Sequence, residues 1–155
     1  MTELRAALPG EASLLAELQE RASIAAFTHI FPPEYPYQRE DVRRRWEDAL
    51  ADSAARVILA EVAGDAVGVA LVRPDWLDGL YVAPEQWGKG VADLLHDRAL
   101  DLVRAFGSDR CGLWVLEDNP RARRFYERRG WRENGETRVV PFPPNPLDVG
   151  YTFHF

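Results

Sequence analysis

The chain predicts a mixed α/β fold, and three observations carry that prediction. Two β-rich runs, Arg56–Val62 and Ala66–Arg73, flank Ala63-Gly64-Asp65, a tight-hairpin signature that makes them antiparallel neighbours. A further strand, Asp75–Val82, leads through a glycine-rich turn into a long amphipathic helix, and strand and helix then alternate again. The length, 155 residues, suits one domain spanning residues 1–155.

Taken in order, Thr2–Ala6 reads as a short strand that Pro9-Gly10 ends. Leu14, Leu15, Leu18, Ala22 and Ala25 then recur at helical spacing. Phe27–Tyr37 holds three prolines and four aromatics and is expected to be an irregular loop, after which Val42, Trp46, Ala49 and Leu50 mark a second helix. Beyond the hairpin and the strand ending at Ala83-Pro84, one face carries Val91, Leu94, Leu95, Ala99, Leu102, Val103 and Phe106, with Gly107 as the stop. Arg110–Leu116 is a buried strand. Asn119-Pro120 supplies an N-cap and a first-turn proline for a helix bearing Ala122, Phe125, Tyr126 and Arg129, which Gly130 closes. Trp131 onward and Val149–Phe155 are the last strands, separated by Pro141–Pro146, a rigid loop with four of the chain's 11 prolines.

Composition narrows the function classes. Apolar residues at 46% and charged residues at 28% match an ordinary soluble globule rather than a disordered or fibrous chain. Nineteen Lys and Arg against 25 Asp and Glu give a net charge of −6, which repels a phosphate backbone, so no nucleic-acid partner is expected. The single cysteine, Cys111, permits no internal disulfide, and no Cys/His cluster offers a metal site, so no metal is expected. No window approaches the roughly 18 uncharged apolar residues of a membrane span, and the N-terminus lacks an apolar leader, which predicts a cytoplasmic protein without membrane association.

The glycine-rich turn, Trp87-Gly88-Lys89-Gly90-Val91-Ala92, lies where a strand hands over to a helix. Backbone N–H groups left unpaired at a helix start, with the helix dipole behind them, attract phosphate oxygens, and glycine lets the main chain come close. A plain strand-to-helix turn is the alternative. A Walker loop needs a GxxxxGK followed by Ser or Thr, which is absent, and a Rossmann fingerprint needs a third glycine where Asp93 stands.

Three segments in register resemble the GCN5-related N-acetyltransferase (GNAT) superfamily. Leu80-Tyr81-Val82-Ala83-Pro84 is similar to the family's fourth strand and its exit, and residues 87–92 to its (Gln/Arg)-x-x-Gly-x-(Gly/Ala) pyrophosphate loop, with Trp87 in place of the Gln or Arg. Leu113-x-Val115, Asn119, Ala122, Phe125-Tyr126-Glu127 and Gly130-Trp131 are similar to its fifth strand and following helix. The resemblance implies a mixed, mostly antiparallel sheet of six to seven strands, splayed between the fourth and fifth, with about four helices. It implies acetyl-CoA as cosubstrate: main-chain groups of Leu80 and Val82 pairing with the pantetheine arm, with Tyr81 between them in the cofactor site, Gly88, Lys89, Gly90, Val91, Ala92 and Asp93 around the pyrophosphate, and Asn119 on the pantetheine. An N–H near Val82 would polarise the thioester carbonyl.

The same resemblance puts Tyr126 at the general-acid position. Its phenol, with a reference pKa near 10, stays protonated at neutral pH and can protonate a departing thiolate. A base is harder to name: Asp78, on the strand leading to the thioester, comes first, with Glu34, Glu117 and a water chain competing. Some family members that acetylate protein α-amines carry an acid at the position of Trp114, so tryptophan there counts against that substrate class. His29, His96 and His154 are isolated, His96 reading as a surface or packing residue. Cys111 has no partner for nucleophilic catalysis. The arginines of 121–129 read as a solvated helix face that can reach the adenosine 3′-phosphate.

The acceptor is expected between the Phe27–Tyr37 loop and Pro141–Tyr151, lined by Phe31, Glu34, Tyr35 and Phe142. Those rings serve equally to cover the sheet edge or to form a homodimer contact. Glu34 and Asp148, with the net charge, favour a cationic small-molecule primary amine. Two other readings stand beside it: a non-catalytic acyl-CoA binding or sensing module, and a protein N-terminal or lysine acetyltransferase.

Overall fold

The Ala63–Gly64 turn sets the register of the N-terminal half of the sheet. In the computed structural model, which describes residues 1–155, both residues have positive φ, 51° and 84°, as a type I′ turn requires. The turn joins β2 (Arg56–Val62) to β3 (Asp65–Arg73); β1 (Thr2–Ala6) pairs antiparallel with β2, and β4 (Trp76–Val82) with β3. With β5 (Arg110–Leu116), β6 (Arg132–Val139) and β7 (Leu147–His154), the strands form one seven-stranded sheet in the order β1-β2-β3-β4-β5-β7-β6. Only β4 and β5 run parallel, so the expected mixed, mostly antiparallel sheet is what forms.

Strand β3 is apolar on both sides because both of its faces are covered. Val67, Ala70 and Val72 join one core with α3 (Val91–Ala105), whose Val91, Leu95, Ala99 and Val103 recur at i, i+4, i+8 and i+12. Val69 and Leu71 join a second core with α1 (Ala12–Phe27) and α2 (Arg39–Ala51), through Leu15, Leu18, Val42, Trp46 and Ala49. Within it the Trp46 indole N–H donates to Gln19 Oε1 at 2.8 Å, which satisfies two buried polar groups. The fourth helix, α4 (Pro120–Arg128), packs Tyr126 and Phe125 into the first core.

One feature of this frame positions the site. Strands β4 and β5 pair at a single position, Trp76 with Gly112, where the Gly112 N–H donates to the Asp75 carbonyl at 2.9 Å. Gly112 is required there, since a Cβ would lie 2.2 Å from the Trp76 ring. Beyond that point the strands have no further ladder pairs, and the sheet opens as a V.

The C-terminal strands correct the sequence reading in detail. β7 begins at Leu147, directly after Pro146, rather than at Val149. Asp148, expected on a loop, is therefore a strand residue, buried and bound by Arg138 Nε at 2.9 Å. β6 is exposed along its whole length, which is why Arg132–Val139 carries no apolar alternation to read. No helix is long and apolar enough to cross a membrane.

Candidate functional site

The V between β4 and β5 is walled by main chain that has no strand partner there. Ala83 N–H donates to Val67 O at 2.8 Å, so in the alternating antiparallel ladder residues 81 and 83 turn their N–H and C=O toward β3. Leu80 and Val82, between and beside them, turn theirs the other way, into the gap. An extended ligand can lie there as an added strand.

At the end of β4 the chain makes a 3₁₀ turn, Pro84–Gln86, and enters α3 through two left-handed glycines, Gly88 (φ 77°) and Gly90 (φ 86°). Gly90 is the helix N-cap, and no side chain caps the helix. The first helical bond runs from Leu94 N–H to Gly90 O at 3.2 Å, so the N–H groups of Val91, Ala92 and Asp93 lack helical acceptors. A Cβ at either glycine would meet no atom within 4 Å, so these residues are needed for their backbone conformation and the open space before them, not for packing.

These elements enclose a cleft of about 480 Å³. It is lined by Leu80, Tyr81, Val82, Gly88, Gly90, Val91, Ala92, Asp93, Asn119 and Tyr126, all expected from the sequence. Lys89 is exposed and does not line it. Asp78, Phe31, Glu34, Tyr35 and Phe142 are also outside the lining. Arg73 Nε donates to the Asp78 carboxylate at 3.1 Å and Arg73 Nη1 to Asp52 at 2.8 Å, so the residue named first as a base is already engaged by a guanidinium. The four acceptor candidates remain on their two loops. His29 Nε2 lies 2.7 Å from Asp118 O, and Glu117 N–H donates to Leu147 O at 2.9 Å, which ties both loops to the exit of β5.

Other residues line it too. Trp87, the departure from the family loop, donates its indole N–H to Val82 O at 2.8 Å and lies under the Arg121 guanidinium, 3.8 Å from the ring centre. It clamps the loop to β4 and occupies one of the two Val82 groups facing the gap, leaving the N–H. Ala22, Ala26 and Phe27 of α1 form the far wall. Arg121, Arg124, Arg128 and Arg129 line the rim against one carboxylate, Asp93, which Arg129 neutralises. The cleft is locally cationic in an acidic chain, a field suited to a polyanionic ligand. The sequence reads these arginines as a solvated helix face able to reach the adenosine 3′-phosphate, and the structure places four of them on the cleft.

Asn119 Oδ1 accepts from Ala122 N–H at 3.2 Å, the N-cap role that local rules predict, while the residue also lines the cleft. Tyr126 is buried, and burial, with the Tyr81 phenol and Cys111 thiol nearby, pushes its pKa well above the ordinary phenol value. Its proton is held throughout the neutral range. Burial likewise pushes the Cys111 thiol up to about 12, which removes it as a nucleophile.

Residues 22–131 match the Acetyltransferase (GNAT) family. An uncharacterized N-acetyltransferase of Archaeoglobus fulgidus is 31% identical over 105 residues, covering 60% of this chain and 71% of that protein. The mycothiol acetyltransferase of Beutenbergia cavernae is 35% identical over 127 residues, 74% of this chain but only 42% of the relative. Among solved structures, a GCN5-related N-acetyltransferase from Rhodopseudomonas palustris, also described as a class-II aminotransferase, aligns over 100% of this chain and 96% of its own with a TM-score of 0.75 and 26% identity. The PaiA N-acetyltransferase of Thermoplasma acidophilum, solved with coenzyme A, shares the fold with a TM-score of 0.80 at 17% identity over 100% and 99% of the two chains.

Proposed function

Because the chain belongs to the GNAT acetyltransferase family, we propose that it moves an acetyl group from acetyl-CoA to a small-molecule primary amine by direct attack in a ternary complex. The observation that supports this most is the continuity of the cleft: an unpaired strand edge at Leu80 and Val82 runs into an uncapped, arginine-rimmed helix start. A ligand with an amide-bearing arm and a phosphorylated end matches that sequence of groups.

In this reading the N–H groups of Val91, Ala92 and Asp93 hold the pyrophosphate, Arg121 to Arg129 meet the remaining phosphate charge, and Leu80 and Val82 pair with the pantetheine amides. The free Val82 N–H faces the thioester oxygen, where charge develops as the amine nitrogen bonds to the carbonyl carbon. As the carbon–sulfur bond breaks, Tyr126 gives its proton to the sulfur and regains one from solvent. Arg73 already holds Asp78, so solvent takes the proton shed by the amine.

The acceptor enters from the side of the V opposite the arginines, between the 28–38 loop and the 140–147 segment. On β4 and β5, outside the lined cleft, Trp76 and Trp114 stand 6.0 Å apart, and Arg138 lies over Trp114 at 4.9 Å. An aromatic floor suits the carbon chain of a small amine, and Trp114 supplies no acid for a peptide α-amine. Incubation with acetyl-CoA and small primary amines, peptide N-termini or lysine peptides, reading free thiol, tests this. Thiol release with small amines is expected. Release with peptides alone would reassign the acceptor, and CoA binding without release by any amine would leave a binding module.

A further inference from the structure

His96, expected at the surface or in packing, is a packing residue, and its ring also makes hydrogen bonds. It lies on α3, 3% exposed, and its Nε2 sits 2.9 Å from the Trp131 indole nitrogen. An indole N–H only donates, so Nε2 is the acceptor and the ring proton is on Nδ1, 3.0 Å from the Asp97 carboxylate. The ring is therefore a neutral imidazole of one tautomer.

Three aromatic rings close around it. Phe125, Trp131 and Tyr126 have ring centres 5.8, 6.2 and 6.5 Å from that of His96, and Tyr126 and Trp131 stand 5.6 Å apart. Trp131 follows the end of α4, the helix that carries Tyr126. The His96–Trp131 hydrogen bond thus ties the helix that begins at the glycine turn to the far end of the helix that presents the phenol. Packing orients the Tyr126 ring, and this bond is the directional contact within that packing.

We propose that His96 is a positioning residue for Tyr126: by accepting the Trp131 N–H it fixes the aromatic box that holds the phenol at the cleft. The proposal rests on the reading of Tyr126 as proton donor.

The test uses two variants of the full chain. His96→Gln keeps an oxygen acceptor for Trp131, and His96→Leu removes it. His96→Leu should lower kcat by about tenfold or more, the scale on which small misplacements of reacting groups act, while the acetyl-CoA KM stays within about twofold. His96→Gln should keep most of kcat, because it still accepts the Trp131 N–H. An unchanged kcat in His96→Leu, or a kcat in His96→Gln as low as in His96→Leu, overturns the proposal. If His96→Leu does not fold, Trp131→Phe, which removes the donor and keeps a ring, takes its place with the same expected loss. Tyr126→Phe, run in parallel, separates the two levels: full activity there overturns the proton-donor reading and this proposal with it, whereas an impaired Tyr126→Phe beside an unimpaired His96→Leu overturns this one alone.

Discussion

Gly90 and Gly64 are a matched pair, and replacing each by alanine separates fold from function. Both have nearly the same backbone, φ 86° and 84°, and in both a Cβ would meet nothing within 4 Å. The conformational penalty of a left-handed alanine is roughly 1–2 kcal/mol at either place. For a chain of this size 1 kcal/mol moves Tm by about 2–4 °C, so both variants should melt about 2–8 °C below the wild type. Their ligand affinities should part company, because Gly64 is in the β2–β3 hairpin and Gly90 caps the helix at the cleft. Relaxing position 90 to negative φ turns its neighbours' N–H groups away, and losing one hydrogen bond to a charged phosphate weakens binding by about 1.5–3 kcal/mol, or about 10- to 150-fold in Kd. Calorimetric titration with CoA, alongside thermal melts, reads both quantities. Equal CoA affinity in Gly90→Ala and the wild type, or an equal loss in Gly64→Ala, would refute the assignment of the turn.

Tyr126→Phe removes a hydroxyl from a buried ring and should lower kcat by about 10²–10⁴-fold while the acetyl-CoA Kd and Tm stay put; wild-type turnover across the neutral range would dismiss the role. Its raised pKa keeps Tyr126 protonated there, so ionisation of this phenol should not produce an alkaline limb near neutrality. Gly112→Ala drives a methyl group into the Trp76 ring, and overpacking of this kind is worth about 1–3 kcal/mol, so Tm should fall by roughly 2–12 °C; an unchanged melt would show that the β4–β5 bridge is not tight. Arg5, first, and then the Leu8 N–H hold the Glu11 carboxyl at about 2, below its ordinary 4.5. A depressed carboxyl stabilises the fold above its unfolded pKa and stops doing so as pH falls through the folded one. The Tm gap between the wild type and Glu11→Gln should therefore be widest at neutral pH and close between pH 4.5 and about 2; a gap independent of pH would remove the linkage.

What was legible in the sequence was whatever local chemistry dictates. The glycines at 88 and 90, the Asn119-Pro120 helix start and the hairpin at Ala63-Gly64 each declare a backbone conformation without reference to anything distant. The alternation that sends Leu80 and Val82 into the gap followed from the resemblance and then from the register of β3. What stayed hidden depends on contacts far apart in the chain. Ala22, Ala26 and Phe27 show the same apolar spacing whether they face a core or a cleft. Asp148 lies behind prolines that look like the end of structure, and its partner Arg138 is on a strand with no apolar pattern. His96 had no visible partner because Trp131 is 35 residues away.

The single bridge between Trp76 and Gly112 means that the chain alone is two half-sheets joined at one rung, four strands on one side and three on the other. In the proposed complex a pantetheine arm along Leu80 and Val82 would supply missing rungs, so the ligand would be an eighth strand acting as a seam. Occupancy should then harden the whole molecule: free ligand at 100 times its Kd adds about 2.7 kcal/mol to the folded state. The same seam has a kinetic face. After the proposed transfer, CoA would still occupy every rung the substrate did except that of the acetyl group, so release would have to unzip what binding zipped.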